Sequence, residues 1–148
     1  MSGAHTMSVM FVDDDRHLRI ANTQTLSFAG FDVSALASAQ EALDLVTPSF
    51  EGVVVTDIRM PGMDGLALLK QIKQRHPMLP VIIMTAHSDL DAAVSAYQQG
   101  AFDYLPKPFD IDEAVALVER AISHYQEQQQ PRHAPDFGPT TDIIGEAP

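Results

Sequence analysis

The polar residues that could do chemistry in this chain stand at repeated places, at or just beyond the ends of short apolar runs. Asp13, Asp14 and Asp15 follow residues 8–12, Asp57 follows residues 52–56, Thr85 follows residues 81–84, and Lys107 comes just after residues 103–105. Carboxylates gathered at one point repel one another and lose hydration unless a cation neutralises them, and an all-oxygen ligand set suits a hard ion such as magnesium. A carboxylate can also act as a nucleophile and carry an acyl phosphate while a metal and a fixed cation screen the transferring group. On this reading Asp57 is the nucleophile and phosphoacceptor, Asp13 and Asp14 hold Mg2+ with it, Lys107 supplies a point charge, and Thr85 donates its hydroxyl.

Each of these residues also has a plainer explanation. An acidic triplet before a helix can simply cap it, a threonine can end a strand, and a lysine can be a solvated surface group. What sets them apart is their shared address, which depends on the elements that carry them.

Residues 8–12 read as a strand, followed by a helical pattern in which Leu18, Ala21, Phe28 and Ala29 share a face until Gly30. A second strand at residues 31–35 leads to a capping pair, Ser38 with Glu41, and a helix carrying Ala42, Leu45 and Val46. The valines of residues 52–56 suit a strand buried on both faces, and a turn-rich loop over residues 58–65 precedes a helix over residues 66–75. Residues 81–84 form a fourth strand. Ser88 with Asp91 then caps a helix whose Leu90, Ala93, Val94 and Tyr97 share a stripe expected to face the core, and Gly100 stops it. After a fifth strand at residues 103–105, Asp110 with Glu113 opens a last helix running to about residue 128.

Strands alternating with helices through short connections predict an α/β fold, a doubly wound five-stranded parallel sheet with helices on both faces. Such sheets place ligands beyond the carboxyl ends of their strands. That rule brings Asp13, Asp14, Asp57, Thr85 and Lys107 to one rim.

The bulk composition narrows the function classes. A formal charge of -11, with scattered basic residues, gives no surface for direct nucleic-acid binding, and no apolar stretch is long enough to cross a bilayer. The absence of cysteine removes disulfides and thiolate metal sites, and a cytoplasmic location is the resulting expectation. Residues 1–7 read as an N-terminal extension, with Met7 an alternative native start, and residues 129–148 read as a linker leading to the start of a further, truncated domain.

Taken as an ordered set, Phe11-Val12-Asp13-Asp14-Asp15, the segment from Thr56-Asp57-Ile58-Arg59-Met60-Pro61 through Gly62-Met63-Asp64-Gly65, Thr85-Ala86 and Lys107-Pro108-Phe109 resemble the motifs of two-component response-regulator receiver domains over residues 8–128. The resemblance implies a flavodoxin-like strand order 2-1-3-4-5, a sensor histidine kinase as phosphodonor, and the backbone carbonyl of Arg59 as a further metal ligand. It also implies a switch in which Thr85 moves toward the phosphate, Tyr104 follows, and the surface of the fourth and fifth helices changes. Lys107-Pro108 is expected to be a cis peptide.

Within the family, the stretch from Asp57 onward is similar to NtrC-type nitrogen regulators, and the first 56 residues are more similar to DctD-type C4-dicarboxylate transport regulators. Both belong to the sigma-54 activator class, so the truncated segment would begin an ATPase domain of a transcription activator. Ile111, Val115, Val118, Ile122 and Tyr125 fit either a core stripe or a short seam, and a homodimer through the fourth and fifth helices is a hypothesis on that basis. The chain reads as a signalling domain that catalyses its own phosphorylation and is not a turnover enzyme. A rival enzyme class, aspartate-nucleophile phosphatases resembling the haloacid dehalogenase family, puts its nucleophile after the first strand, whereas Asp57 follows the third.

Overall fold

In the computed structural model, which describes residues 8–129, five parallel strands form one sheet in the order β2-β1-β3-β4-β5. In chain order the elements are β1 (Ser8–Val12), α1 (Arg16–Phe28), β2 (Asp32–Leu36), α2 (Ala39–Leu45), β3 (Gly52–Asp57), α3 (Gly65–Arg75), β4 (Val81–Ala86), α4 (Leu90–Gln98), β5 (Asp103–Lys107) and α5 (Ile111–Gln129). A 3-10 turn, His87–Asp89, leads into α4. The fold class and strand order are those expected from the sequence.

The central strands are apolar at nearly every position because both of their faces are covered. Successive residues point to opposite sides, so one strand feeds two cores. Met10, Val12, Val54 and Ile83 pack against α2, α3 and α4 through Leu43, Leu68, Leu69, Ile72, Ala92 and Ala96. Val9, Phe11, Val55 and Met84 pack on the other face against Leu26 of α1 and Leu117, Val118 and Ala121 of α5. Fully burying each large aliphatic side chain contributes about 1.5–3 kcal/mol, enough in sum to fix which strand ends meet at the rim.

Two helices show which of their faces packing selects, and one of them, α4, departs from the sequence expectation. Along α1 only Leu26 is fully buried, while Leu18 and Phe28 of the shared face are exposed, Phe28 at 95%. Periodicity identifies a helical face without saying which way it turns. On α4 the alanines Ala92, Ala93 and Ala96 face the sheet, and Leu90, Val94 and Tyr97 are exposed instead of forming core. Small inward residues let this helix lie close to the sheet.

Helix starts also separate sequence from structure. Ser38 accepts from the Glu41 amide, as expected, and Asp110 N–H donates to Glu113 at 3.0 Å. The Ser88–Asp91 pair does not start α4; its N-cap is Asp89, which makes no side-chain capping bond. At the sheet edge β5 continues past Leu105 through Pro106 to Lys107, which pairs with Ala86. An edge strand tolerates proline because one side of its backbone needs no ladder partner. Among the described residues, no helix is long and apolar enough to cross a membrane. Residues 1–7 and 130–148, where the extension and most of the linker were read, lie outside the described residues.

Candidate phosphoacceptor site

The parallel register lines up the strand ends that carry the site. Val12 pairs with Thr56, Asp57 with Met84, and Ala86 with Lys107, so the residues just beyond β1 and at the carboxyl ends of β3, β4 and β5 face one rim. There the carboxylates of Asp13, Asp14 and Asp57 each offer an oxygen within 4.8 Å of the others. Lys107 Nζ lies 2.9 Å from Asp57 Oδ2 and 3.6 Å from Asp13 Oδ2. Lys107-Pro108 is cis.

The acidic triplet divides its work. Asp15 is the N-cap of α1 and accepts from the Leu18 amide at 3.1 Å, which is the plain capping role. Asp13 is fully buried; its Oδ1 accepts from Asp15 N–H at 2.9 Å, its own N–H donates to Leu36 at 3.1 Å, and its carbonyl accepts from Arg19 Nη1 at 2.8 Å. Asp14 is exposed and its carboxylate makes no hydrogen bond among the described residues. Burial raises the Asp13 carboxyl above the usual carboxylate range; the Asp15 amide and Lys107 oppose this, and the charges of Asp57 and Asp14 add to it.

Two buried oxygens at this rim, Asp13 Oδ2 and Thr85 Oγ1, lack a hydrogen-bond partner among the described residues. A buried polar atom without a partner costs about 1–3 kcal/mol, so such atoms ordinarily mark a missing ligand or a function. Orphaned Asp13 Oδ2, two further carboxylates and no nitrogen or sulfur donor fit a hard divalent cation such as magnesium. Asp57 itself is held by Ile58 N–H on Oδ1 at 2.9 Å and by Lys107 on Oδ2, leaving it partly solvent-accessible with 14% side-chain exposure.

Tyr104 stands on β5, half-buried, and packs edge-on against Tyr97 of α4 with ring centroids 5.9 Å apart. Arg59 lies two residues past Asp57, and its guanidinium turns to Asp89, donating through Nε and Nη2 at 2.8 Å each. That pairing explains the uncapped start of α4: the Asp89 carboxylate is engaged elsewhere.

Sequence reading missed three supporting residues. Asp64 caps α3 by accepting from Ala67 N–H at 2.9 Å, a signal legible in an Asp placed just before a helical run. Gly65 follows it, where a Cβ would lie 2.4 Å from the Asp57 carbonyl oxygen, so only glycine lets α3 start against the acceptor loop. Arg19 was passed over because nothing in its spacing shows that it reaches back to Asp13.

Comparison with known proteins agrees with this fold. The family model described as the response regulator receiver domain matches residues 9–119. A DNA-binding transcriptional regulator NtrC from Klebsiella pneumoniae is 73% identical over 137 residues, covering 93% of this chain and 29% of that protein. The C4-dicarboxylate transport transcriptional regulatory protein DctD of Rhizobium meliloti is 53% identical over 114 residues, covering 77% of this chain and 25% of that protein. The solution structure of the apo receiver domain of nitrogen regulatory protein C superposes with a TM-score of 0.73 at 68% identity, covering 81% of this chain and 97% of that one. The chain thus spans under a third of the curated relatives it matches, 29% and 25% of their lengths. With the motif set, the strand order and the rim all in agreement, this chain belongs to the response regulator receiver domain family.

Proposed function

We propose that this domain accepts a phosphoryl group on Asp57 from a phosphohistidine of a sensor histidine kinase, with Mg2+ bound beside it. The observation that carries the reading is the pairing of a partly exposed Asp57, ion-paired to Lys107 at 2.9 Å, with two further carboxylates within 4.8 Å. In the transfer, the donor P–N bond breaks as the bond between phosphorus and an Asp57 carboxylate oxygen forms. Asp13, Asp14, Asp57 and the Arg59 carbonyl would hold the ion, which when bound screens charge on the phosphoryl oxygens.

Lys107 neutralises the acceptor before transfer and is free to follow the phosphoryl oxygens afterwards. Thr85, buried with an unpartnered hydroxyl, donates to the phosphoryl group once it arrives. That new contact exists in only one state, so it can bias a two-state equilibrium. Tyr104 beside α4 transmits the change, and the exposed Leu90, Val94 and Tyr97 give the fourth helix a surface for a homodimer with α5. The likeness to NtrC- and DctD-type proteins supports a cytoplasmic switch that governs a sigma-54-dependent transcription activator. It is a signalling step and not a turnover activity, since the product stays on the chain.

Intact mass measurement after incubation with a small phosphodonor and Mg2+ tests the assignment. A single phosphoryl adduct is expected on the wild type and none on Asp57→Ala or on the wild type with the metal chelated. An equal adduct on both proteins would overturn the acceptor. Sedimentation of the same samples is expected to show dimer only in the phosphorylated wild type, and monomer throughout would remove the dimer.

A further inference from the structure

We infer that Arg19 is a positioning residue for the metal site, acting through the peptide that joins Asp13 to Asp14. The inference rests on the proposed cation site and adds a residue from α1 that has no contact with the carboxylates' own oxygens among the hydrogen bonds and ion pairs of the described residues.

The three carboxylates are held by different means. Asp57 is fixed by Ile58 N–H and Lys107, and the Asp13 carboxylate by Asp15 N–H and burial. Asp14 has neither aid: it is exposed and its carboxylate makes no hydrogen bond among the described residues. Its direction therefore depends on the plane of the preceding peptide, whose carbonyl is that of Asp13. That carbonyl accepts from Arg19 Nη1 at 2.8 Å, while the N–H of Asp13 is tied to Leu36 at 3.1 Å.

Arg19 can serve because α1 starts so close to β1. The Asp15 cap fixes the first turn, and Arg19 N–H donates to the Asp15 carbonyl at 2.9 Å, so the guanidinium is anchored at its root as well as its tip. A half-buried, charge-assisted bond to a carbonyl holds the peptide more firmly than water would. Partners of this kind, one bond removed from the ligand, orient ligands at metal sites.

Charge and geometry make opposite predictions, which gives the test its sign. A guanidinium near the site repels an incoming divalent cation, so removing it on charge grounds alone would tighten Mg2+ binding. Loss of a positioning bond loosens it.

The experiment is an Mg2+ titration without phosphodonor, followed by the amide resonances of Asp14 and Asp57, on wild type, Arg19→Met and Arg19→Lys. Arg19→Met is expected to weaken Mg2+ binding about tenfold, the low end for outer-shell partners of metal sites, and Arg19→Lys to recover most of it. Unchanged or tighter binding by Arg19→Met would overturn the inference, as would Arg19→Lys binding as weakly as Arg19→Met. If Arg19→Met does not fold, Arg19→Gln, whose amide is too short to reach the carbonyl, is expected to show the same weakening, and binding equal to wild type would overturn the inference. Wild type that binds no Mg2+ would defeat the metal-site reading itself, a result distinct from either outcome for Arg19.

Discussion

The two ends of the sheet treat buried polar groups in opposite ways. At the end away from the acceptor, buried His76, at 5% exposure, has its Nε2 2.7 Å from the Phe50 carbonyl, and the half-buried Lys73 donates through Nζ to Pro77 and Leu79 at 3.2 and 2.8 Å. The exposed Arg75 also reaches the Leu43 carbonyl through Nη1, at 3.1 Å. At the acceptor rim, Asp13 Oδ2 and Thr85 Oγ1 are buried without a hydrogen-bond partner among the described residues, and three carboxylates crowd together. One end is closed by folding, whereas the other keeps unmet hydrogen-bonding demand that fits the proposed cation and phosphoryl group. Two of the three buried oxygens that lack a hydrogen-bond partner among the described residues stand at this rim; the third, Thr23 Oγ1, lies on α1.

That contrast can be broken most severely at the finished end. His76→Ala removes a buried ring, its contact with Tyr125 at 5.9 Å between centroids, and the bond to Phe50. A loss of about 2–3 kcal/mol is expected by urea unfolding, with Mg2+ affinity and Asp57 phosphorylation unchanged in the folded protein. Impaired metal binding there would show that the two ends are not separable.

The acceptor end should respond with the opposite sign. Asp13→Asn keeps an acceptor for the Asp15 amide and removes one buried charge from the cluster, so the metal-free protein is expected to gain on the order of 1 kcal/mol at neutral pH while losing Mg2+ binding. The pH dependence follows from the raised carboxyl. Its ionised form is disfavoured in the fold, so the penalty is full above the folded value and fades as pH falls through it toward the ordinary 3.8. The stability advantage of Asp13→Asn should therefore shrink on acidification, and an advantage that is flat with pH would reject buried charge as its source.

The smallest stability effect sharpens the comparison most. Thr85→Val exchanges an unpartnered hydroxyl for a methyl of similar size, so unfolding free energy should stay within about 0.5 kcal/mol of wild type or rise. The phosphorylation-dependent change in the amide spectrum of α4 is expected to fall sharply. A large destabilisation would mean that Thr85 has a structural partner in the resting state.

Much of this was legible in the residues themselves. Near-continuous apolar strands such as β3 and β4 announce a sheet covered on both faces, and Asp13, Asp14, Asp57, Thr85 and Lys107 were nameable because parallel α/β sheets collect their ligands at the carboxyl ends. The Ser38 and Asp110 helix starts were equally readable, being local chemistry between neighbours. The outward turn of the Leu90, Val94 and Tyr97 stripe on α4 was not. A stripe such as Leu90, Val94 and Tyr97 has the period of a buried face, and only packing shows that the alanines beside it were chosen for the sheet.

By itself, then, the sequence determined which residue types reach the rim, since strand length and alternation are local properties with short reach. Tertiary structure alone decided that Arg19 grips the Asp13 carbonyl, that Arg59 turns to Asp89, and that Gly65 must lack a side chain beside Asp57. Those contacts join segments whose approach is set by helix docking on the sheet, and no pattern within either segment encodes the distance between them.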